Sequence, residues 1–399
     1  MLRPFVLLSK LNSLDRKSLW LYIAKAVAAG TGVGVHFIFA AIGGVSGYGV
    51  LSLFLNLNLL LNYVADFGFT LNGPRLVANG TQNETALRQI QAFRIRLGLL
   101  SALLYLLVIG IGYPNQQHLL LFGLPMIAFY GFQSDWLNRG LGRPDKAAYR
   151  QMMQSVGQLL LVALAMYLGW EMKWAVLAYT SLAAVTYLLS NPYKWQFFLP
   201  LPAPSVVKGQ LLVLAGMLTY FATYNMIIPL LTRWQNETVA GFYASHYFLG
   251  TSLGTLSVIT MEVFMAKAKS SLASYALWLG IFTAIALVGI GLSPFYFDFL
   301  YGGKGFYWDG RLTLLVMGMV VIHAFRLYWV NSCLFLQQYR PFLNFNVLAL
   351  GVHVALLGVW LAMEQEYGPH AALSILLVAE SLALLMYKLY PKGGRLYVG

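Results

Sequence analysis

The sequence has 399 residues, of which 59% are hydrophobic and only 10% are charged. Soluble proteins carry roughly 25% charged residues, so this composition excludes a large soluble catalytic domain. The single cysteine, Cys333, excludes an internal disulfide framework and a cysteine-rich metal or iron–sulfur site. The net charge of +13 would indicate a nucleic-acid partner in a soluble protein. In a membrane protein, the positions of the positive residues indicate first which loops are cytoplasmic.

Twelve apolar stretches follow one another along the chain. Most of them have the length of about 20 residues that a helix needs to cross a ~30 Å hydrocarbon layer. The alternating pattern of an outer-membrane barrel is absent. We therefore predict an all-α polytopic membrane protein with transmembrane helices over residues 19–40, 48–71, 95–113, 118–137, 153–170, 173–190, 209–231, 241–264, 272–293, 312–334, 343–363 and 370–390.

The positively charged residues alternate between the two sides of these helices. With a cytoplasmic N-terminus, 20 of the 26 lysines and arginines fall on the cytoplasmic side. Only four fall in the outer loops, namely Lys173, Arg233, Lys304 and Arg311. Because positive loops stay in the cytoplasm, we predict that both termini are cytoplasmic and that acidic membrane lipids neutralise the basic surface.

A proline-rich stretch at residues 199–208 divides the twelve predicted helices into six and six. Three prolines within five residues stop helices on both sides and form a short, stiff connector. We predict a cytoplasmic N-terminal segment (1–17), an N-terminal six-helix bundle (18–198), the linker (199–208), a C-terminal six-helix bundle (209–391) and a cytoplasmic tail (392–399).

The two predicted bundles share four short similarities at a nearly constant offset of 193 to 197 residues. These pairs are Gly47-Tyr48-Gly49-Val50 with Gly241-Phe242-Tyr243-Ala244, Asp66 with Glu262, Trp136-Leu137-Asn138 with Trp329-Val330-Asn331, and Arg143-Pro144 with Arg340-Pro341. An internal duplication of a six-helix unit explains this order. Because six is even, the two bundles should run parallel and enclose a central cavity about an axis along the membrane normal.

Further short motifs occur in order along nearly the whole chain. They include Ala65-Asp66-Phe67-Gly68-Phe69, Pro74-Arg75-Leu76-Val77-Ala78, Phe132-Gln133-Ser134-Asp135-Trp136, Ala240-Gly241-Phe242-Tyr243 and Ala379-Glu380. Together with the twelve-span plan, these motifs resemble the polysaccharide-repeat (O-antigen, Wzx-type) flippases of the multidrug/oligosaccharidyl-lipid/polysaccharide exporter superfamily. The resemblance implies a bacterial inner-membrane protein of O-antigen and lipopolysaccharide biosynthesis. Its substrate would be a polyprenyl-diphosphate-linked oligosaccharide, moved from the cytoplasmic to the outer leaflet, with a glycan polymerase and chain-length machinery as protein partners.

Two cations fall inside predicted spans, Lys25 in the first and Arg326 in the tenth. A charge in the bilayer costs roughly 2.5–3.5 kcal/mol on insertion scales, so each needs a partner, water or ligand. An ammonium or a guanidinium on the cavity wall could bind a diphosphate, although the Lys25 side chain could instead reach the headgroups. The predicted substrate-binding residues are Lys25, His36, Tyr220, Tyr224, Asn225, His323 and Arg326.

Acidic and amide side chains also lie within or at the ends of spans. Asn58, Asn62 and Asp66 form one polar stripe at i, i+4 and i+8. We predict a gating or ion-coupling group consisting of Asn58, Asn62, Asp66, Glu262 and Glu380, and a cytoplasmic vestibule formed by Arg75, Arg143 and Arg340. The alternative for Asp66 is a fixed salt bridge at a helix end, and Asp135 beside Arg139 is interpreted as structural.

The sequence shows no metal-ligand spacing, no cofactor motif and no nucleotide-binding loop, so transport would use an ion gradient, the membrane potential or mass action. A drug/cation antiporter of the same superfamily remains an alternative. A polytopic glycan polymerase or ligase is a weaker alternative, because the longest predicted outer segment has only about 18 residues in which to hold acid and base groups. We therefore predict a transporter rather than an enzyme, with no nucleic-acid partner.

Overall fold

The computed structural model describes residues 16–78, 84–193, 198–267, 272–302, 304–335, 339–363 and 368–389. These residues contain helices and no strand. Apart from short helical turns between Pro114 and Phe132, the described helices are, in chain order, α1 (Arg16–Asp66), α2 (Phe69–Ala78), α3 (Glu84–Gly112), α4 (Asp135–Gly140), α5 (Pro144–Tyr167), α6 (Met172–Ser190), α7 (Pro204–Tyr224), α8 (Ile227–Trp234), α9 (Glu237–Lys267), α10 (Leu272–Tyr301), α11 (Gly310–Phe335), α12 (Tyr339–Ala362) and α13 (Pro369–Leu389).

The prediction of an all-α polytopic membrane protein is confirmed. Within the described ranges, seven helical segments are long and apolar enough to cross a membrane, and Gly310–His323 is a shorter apolar one. One of the seven, Ile23–Asp66, covers most of the first two predicted spans, but the second was predicted to reach residue 71 and the helix ends at Asp66, where positive φ angles at Phe67 and Gly68 interrupt it. The predicted N-terminal segment, apart from residues 16–17, and the predicted C-terminal tail lie outside the described residues.

Helix α1 joins the first two predicted spans without an intervening loop. Its backbone leaves helical geometry at Gly44, where φ is 59° and ψ is −165°. A straight helix would separate His36 from Tyr48 by about 18 Å, yet His36 Nδ1 lies 2.9 Å from the Tyr48 hydroxyl. The chain therefore bends sharply at Gly44, which tolerates the positive φ because it has no Cβ.

The fourth predicted span, residues 118–137, is not one continuous helix. Short helical turns follow one another from Pro114 to Phe132, and α4 begins only at Asp135. Gly123, Pro125 and Gly131 interrupt the apolar run, and all three disfavour a helix interior. The two glycines also permit close packing, because a Cβ on Gly123 would collide with the Phe54 ring and one on Gly131 with the Arg94 backbone.

The C-terminal bundle begins earlier than its apolar pattern suggests. Helix α7 starts at Pro204, inside the predicted linker, whose end was placed at residue 208. Proline at the first helical position loses no hydrogen bond, so it starts a helix as readily as it ends one. Arg96 of α3 donates a hydrogen bond of 2.9 Å from Nη2 to the carbonyl oxygen of Leu199 and so ties the connector to the N-terminal bundle.

The two halves meet most closely where α1 crosses α9. Gly49 and Gly241 face each other, and a Cβ built on either glycine would lie 2.9 Å from the backbone nitrogen of the other. A Cβ on Gly49 would also collide with the carbonyl oxygen of Glu237, and one on Gly241 with that of Val45. We call Val45, Gly49, Glu237 and Gly241 the outer seal, because the charge distribution predicts that this end of the helices faces outward.

Two hydrogen bonds strengthen the contact between the halves at the same end. Gln116 donates from Nε2 to Glu237 Oε1 at 2.7 Å, and the Tyr113 hydroxyl donates to the carbonyl oxygen of Pro229 at 3.3 Å. The halves also touch away from the seal, because the rings of His36 and Phe248 stack at 3.7 Å. Further along the second span of α1, Tyr63 contacts Phe221 of α7 edge-on at 6.4 Å.

The outer ends of α9, α11 and α13 are joined through Asp309. Its backbone N–H donates to His246 Nε2 at 3.1 Å, and its carboxylate lies 2.9 Å from His370 Nε2. Partial burial acts to raise the pKa of Asp309, but the backbone N–H of Leu312, the His370 imidazole and the backbone N–H of Arg311 outweigh it and lower the pKa. The Asp309 carboxylate therefore caps α11, and its backbone N–H holds the end of α9 that carries the outer seal.

Candidate functional site

Arg326 is the centre of a buried polar cluster in the C-terminal half. Its side chain is 1% exposed, and its guanidinium carbon lies 4.3 Å from the ring centroids of both Tyr220 and Tyr224. The Phe345 ring lies 5.8 Å away on α12. A guanidinium favours such aromatic faces because of their negative electrostatic potential.

An amide and a carboxylate complete this cluster. Arg326 donates from Nη2 to Asn346 Oδ1, and Asn346 in turn donates to the carbonyl oxygen of Phe342 at 2.7 Å. The second bond orients the amide so that its oxygen faces the guanidinium. Glu380, which is 0% exposed, places Oε1 3.5 Å from Arg326 Nε. We call Tyr220, Tyr224, His323, Arg326, Asn346 and Glu380 the C-terminal cluster.

The C-terminal cluster assembles four residues that the sequence predicted for binding and one that it predicted for coupling. Tyr220, Tyr224, His323 and Arg326 come from α7 and α11, and Glu380 from α13. The Tyr220 hydroxyl lies 3.5 Å from His323 Nε2. Asn225, predicted with them, follows the last residue of α7 and is half-buried. Asn346 was not among the predicted residues, although an amide within the apolar span 343–363 is a usable signal of a polar site.

The predicted binding residues of the N-terminal half are Lys25 and His36, both on α1. Lys25 is partly buried on α1, and His36 lies three turns further along, between Tyr48 of its own half and Phe248 of the other. His36 is therefore a contact between the halves. Gly30 and Gly32, which lie between these two side chains, have no neighbouring atom within 4 Å of a built Cβ among the described residues.

The N-terminal carboxylate Asp66 forms a buried ion pair. Arg94 Nη2 lies 2.9 Å from Asp66 Oδ1, and the two side chains are 0% and 1% exposed. Asp66 also accepts the backbone N–H of Thr70 at 2.9 Å, and Arg94 donates to the carbonyl oxygen of Gln133. The partner is thus an arginine of the same half. The sequence analysis placed Arg94 in a loop, because it started the third helix at residue 95 instead of Glu84.

The structure describes only some of the remaining predicted gate and vestibule residues. Asn58 and Asn62 are buried, and in the described part of the chain neither Oδ1 atom has a hydrogen-bond partner. Arg143 and Arg340 are exposed. The side chains of Glu262 and Arg75 lie outside the described residues. Asp135 pairs with Arg150 of α5 at 2.5 Å, not with the neighbouring Arg139.

Replacing Asp66 by alanine should strongly destabilise the N-terminal half. The change leaves the Arg94 guanidinium buried without its counter-ion, a loss that typically costs about 3–5 kcal/mol. We expect a fall of several degrees in the midpoint of thermal unfolding of the detergent-solubilised protein. Glu84 and Arg88 provide the control, because they form an exposed i, i+4 pair at 2.5 Å. Such pairs contribute about 0.5 kcal/mol, so an Asp66→Ala midpoint no lower than that of Glu84→Ala would contradict the assignment.

No protein-family model and no curated protein sequence matches the chain. Solved structures of transporters do match its fold over nearly the full length. A MATE transporter in the bent conformation has a TM-score of 0.57 and 12% identity, with 94% of this chain and 93% of that chain covered. An outward-facing multidrug resistance MATE family transporter of the MOP superfamily has a TM-score of 0.51 and 10% identity over 94% of each chain. The eukaryotic MATE transporter AtDTX14 has a TM-score of 0.51 and 11% identity, with 94% and 96% covered.

These identities establish a common fold. The chain therefore shares the fold of the MATE transporters, which have twelve transmembrane helices in two repeated bundles. The structural match concerns the fold and does not test the resemblance to the O-antigen flippases.

Proposed function

We propose that this chain is a membrane exporter that works by alternating access of its two halves. The observation that carries the proposal is the fold shared with MATE transporters over 94% of the chain. The outer seal supports it, because a close crossing of two helices at glycines can separate when rigid bundles rock against each other. In this proposal both termini are cytoplasmic, the membrane is the bacterial inner membrane, and the seal closes the outward path.

Two substrate classes fit this mechanism. The fold comparison favours a drug/cation antiporter, since one of the matching structures is a multidrug resistance transporter. A polyprenyl-diphosphate-linked oligosaccharide is the second class. It draws support from the motif resemblance and from two cations, Lys25 and Arg326, placed within the membrane-spanning helices.

Transport by the purified protein in proteoliposomes tests the proposal and separates the two classes. One set of vesicles contains ethidium and an imposed proton gradient. The other contains a fluorescent undecaprenyl-diphosphate disaccharide, whose movement between leaflets is followed by dithionite quenching. An exporter should accelerate one of the two processes at least tenfold over protein-free vesicles. Protein with intact folding that accelerates neither process in either orientation would contradict export.

A methyl group added at the seal tests the mechanism without changing any residue of the C-terminal cluster, and Gly32→Ala is the matched control. If transport is real, its rate should change in Gly241→Ala vesicles and stay at the wild-type level in Gly32→Ala vesicles. The cluster variant Arg326→Ala should abolish transport while the protein still inserts into the membrane.

A further inference from the structure

The C-terminal cluster contains an unusual number of buried polar atoms without partners. In the described part of the chain, no hydrogen bond reaches Nδ1 of His323 or Nε and Nη1 of Arg326 in good geometry, and the Tyr224 hydroxyl lies beside both Arg326 and Glu380. Arg326 and Glu380 attract each other at 3.5 Å, but they do not form the two-pronged contact that an arginine and a carboxylate can make. Buried polar atoms are normally satisfied, so this cluster has donors and acceptors available for a ligand.

Only one member of the Arg326–Glu380 pair can lose its charge. Arginine stays protonated in proteins, whereas a carboxylate becomes neutral when it takes up a proton. A buried charge that loses its counter-ion is costly, by about 3–5 kcal/mol. Breaking the pair therefore costs least when Glu380 is protonated and a new anion neutralises Arg326.

We propose that the C-terminal cluster binds an anionic amphiphile together with one proton, the proton neutralising Glu380 and the anion pairing with Arg326. The proposal rests on the proposed export function and names the charge of its substrate. The proton moves from solvent to a carboxylate oxygen of Glu380. The freed Nε and Nη1 groups of Arg326, with the Tyr224 hydroxyl beside them, then donate to the anionic headgroup. Tyr220 and Tyr224 hold the guanidinium in place throughout, since cation–π contact does not depend on the counter-ion.

The surroundings of Glu380 contain few other groups that could supply or compete for this proton. Helix α11 contributes Arg326 and His323, and α7 contributes Tyr220 and Tyr224. Helix α12 contributes the neutral Asn346 and Phe345 through their contacts with Arg326. Tyr247 is the nearest titratable contribution from α9, through its proximity to Tyr220 and Arg326. Among these described groups, Glu380 is the one carboxylate.

A cationic substrate is the competing class, and the charges disfavour it. A cation that takes Glu380 leaves the Arg326 guanidinium, 1% exposed, with a second positive charge beside it. No proton can be removed from Arg326 to relieve this repulsion. The exchange would therefore leave a buried charge uncompensated, whereas the uptake of an anion and a proton does not.

Two matched probes test the proposal on the solubilised full-length chain. Decane-1-sulfonate keeps its negative charge at every pH used, and decyltrimethylammonium is its cationic counterpart with the same alkyl chain. Binding is measured by isothermal titration calorimetry at pH 5.5 and pH 7.5. One linked proton changes affinity by up to about tenfold per pH unit. We expect the sulfonate to bind the wild-type protein at least about threefold more tightly at pH 5.5, and to bind more tightly than the ammonium probe at both values.

Three variants separate this linkage from a structural role. Glu380→Gln imitates the protonated carboxyl, so its sulfonate affinity should match the acidic wild-type value and be the same at both pH values. Arg326→Gln should lose sulfonate binding at both. Asp66→Asn alters the other buried pair and should keep the wild-type pH dependence. All variants are compared as monodisperse protein, and added sulfonate should raise the unfolding midpoint of Glu380→Gln more than that of the wild type.

Three results would overturn the proposal: preference for the ammonium probe, sulfonate affinity that does not rise at acidic pH, or retained pH dependence in Glu380→Gln. These outcomes leave the export function standing, because they concern binding alone. Failure of export would appear separately, as absent transport by vesicles whose protein still binds a probe.

Discussion

Replacing Gly241 by alanine is expected to open the outer seal and to shift the protein toward its outward-open state. The added methyl group would collide with the carbonyl oxygen of Val45 and lie 2.9 Å from the backbone nitrogen of Gly49. Neither neighbour is a flexible side chain, so the helices themselves must separate. Overpacking of this kind costs about 1–3 kcal/mol. Because each ~1.4 kcal/mol changes an equilibrium tenfold, the outward-open population should rise roughly fivefold to a hundredfold.

The rate at which an external maleimide labels a cysteine placed just inside the seal measures this shift. Ser52 lies one turn beyond Tyr48 on α1, is 4% exposed and donates to the Tyr48 carbonyl oxygen at 2.8 Å. Ser52→Cys in a Cys333→Ser background supplies the reporter, and a membrane-impermeant maleimide is added to intact cells. Gly241→Ala should label faster than its parent. Gly32→Ala is the matched control, since no described atom lies within 4 Å of its built Cβ. Equal labelling of all three would show that the glycine crossing does not close the outward path.

Removing Glu380 and removing Arg326 should have unequal effects on the free energy of unfolding. Glu380→Leu leaves a guanidinium that cannot be neutralised, whereas Arg326→Leu leaves a carboxyl that can take a proton. We therefore expect Glu380→Leu to lower the free energy of unfolding by about 3–5 kcal/mol, and Arg326→Leu to lower it less. The double variant should recover much of the loss, because buried pairs replaced by apolar groups are often neutral or stabilising.

A double-mutant cycle at pH 7.5, read as unfolding midpoints and as transport, tests this asymmetry. Transport should be absent in the double variant even though its stability returns, because the cluster then has no charge with which to bind an ion. If the stability loss in the double variant equalled the sum of the losses in the two single variants, the two charges would not interact. Recovery of transport along with stability would remove the pair from the transport site.

The outer seal shows what the sequence repeat predicts about the structure and what it does not. The sequence matched Gly47-Tyr48-Gly49-Val50 with Gly241-Phe242-Tyr243-Ala244 at an offset of 194. It gave no reason to place the two copies against each other. In the structure the two copies of the motif do meet, but two residues out of register, because Gly241 packs against Gly49 and not against Gly47, its equivalent in the repeat.

Charged residues were easier to locate along the chain than to pair. The sequence placed Arg326 and Glu380 within the membrane and required a partner for each, but 54 positions separate them. For Asp66 a salt bridge at a helix end was the alternative, without a named partner, and the partner in the structure is Arg94. Misplacing the start of α3 by eleven residues was enough to hide that pair, because Arg94 then counted as a loop residue.

The sequence by itself determined the helical class, the division into two halves and the order of the spans. These properties depend on stretches of about 20 residues, whose apolar content decides whether they enter a bilayer. Only the tertiary structure decided that Tyr220, Tyr224, Asn346 and Glu380 surround Arg326. Together with Arg326, these side chains lie on four helices. They meet because whole helices pack against each other, which no local window of residues encodes.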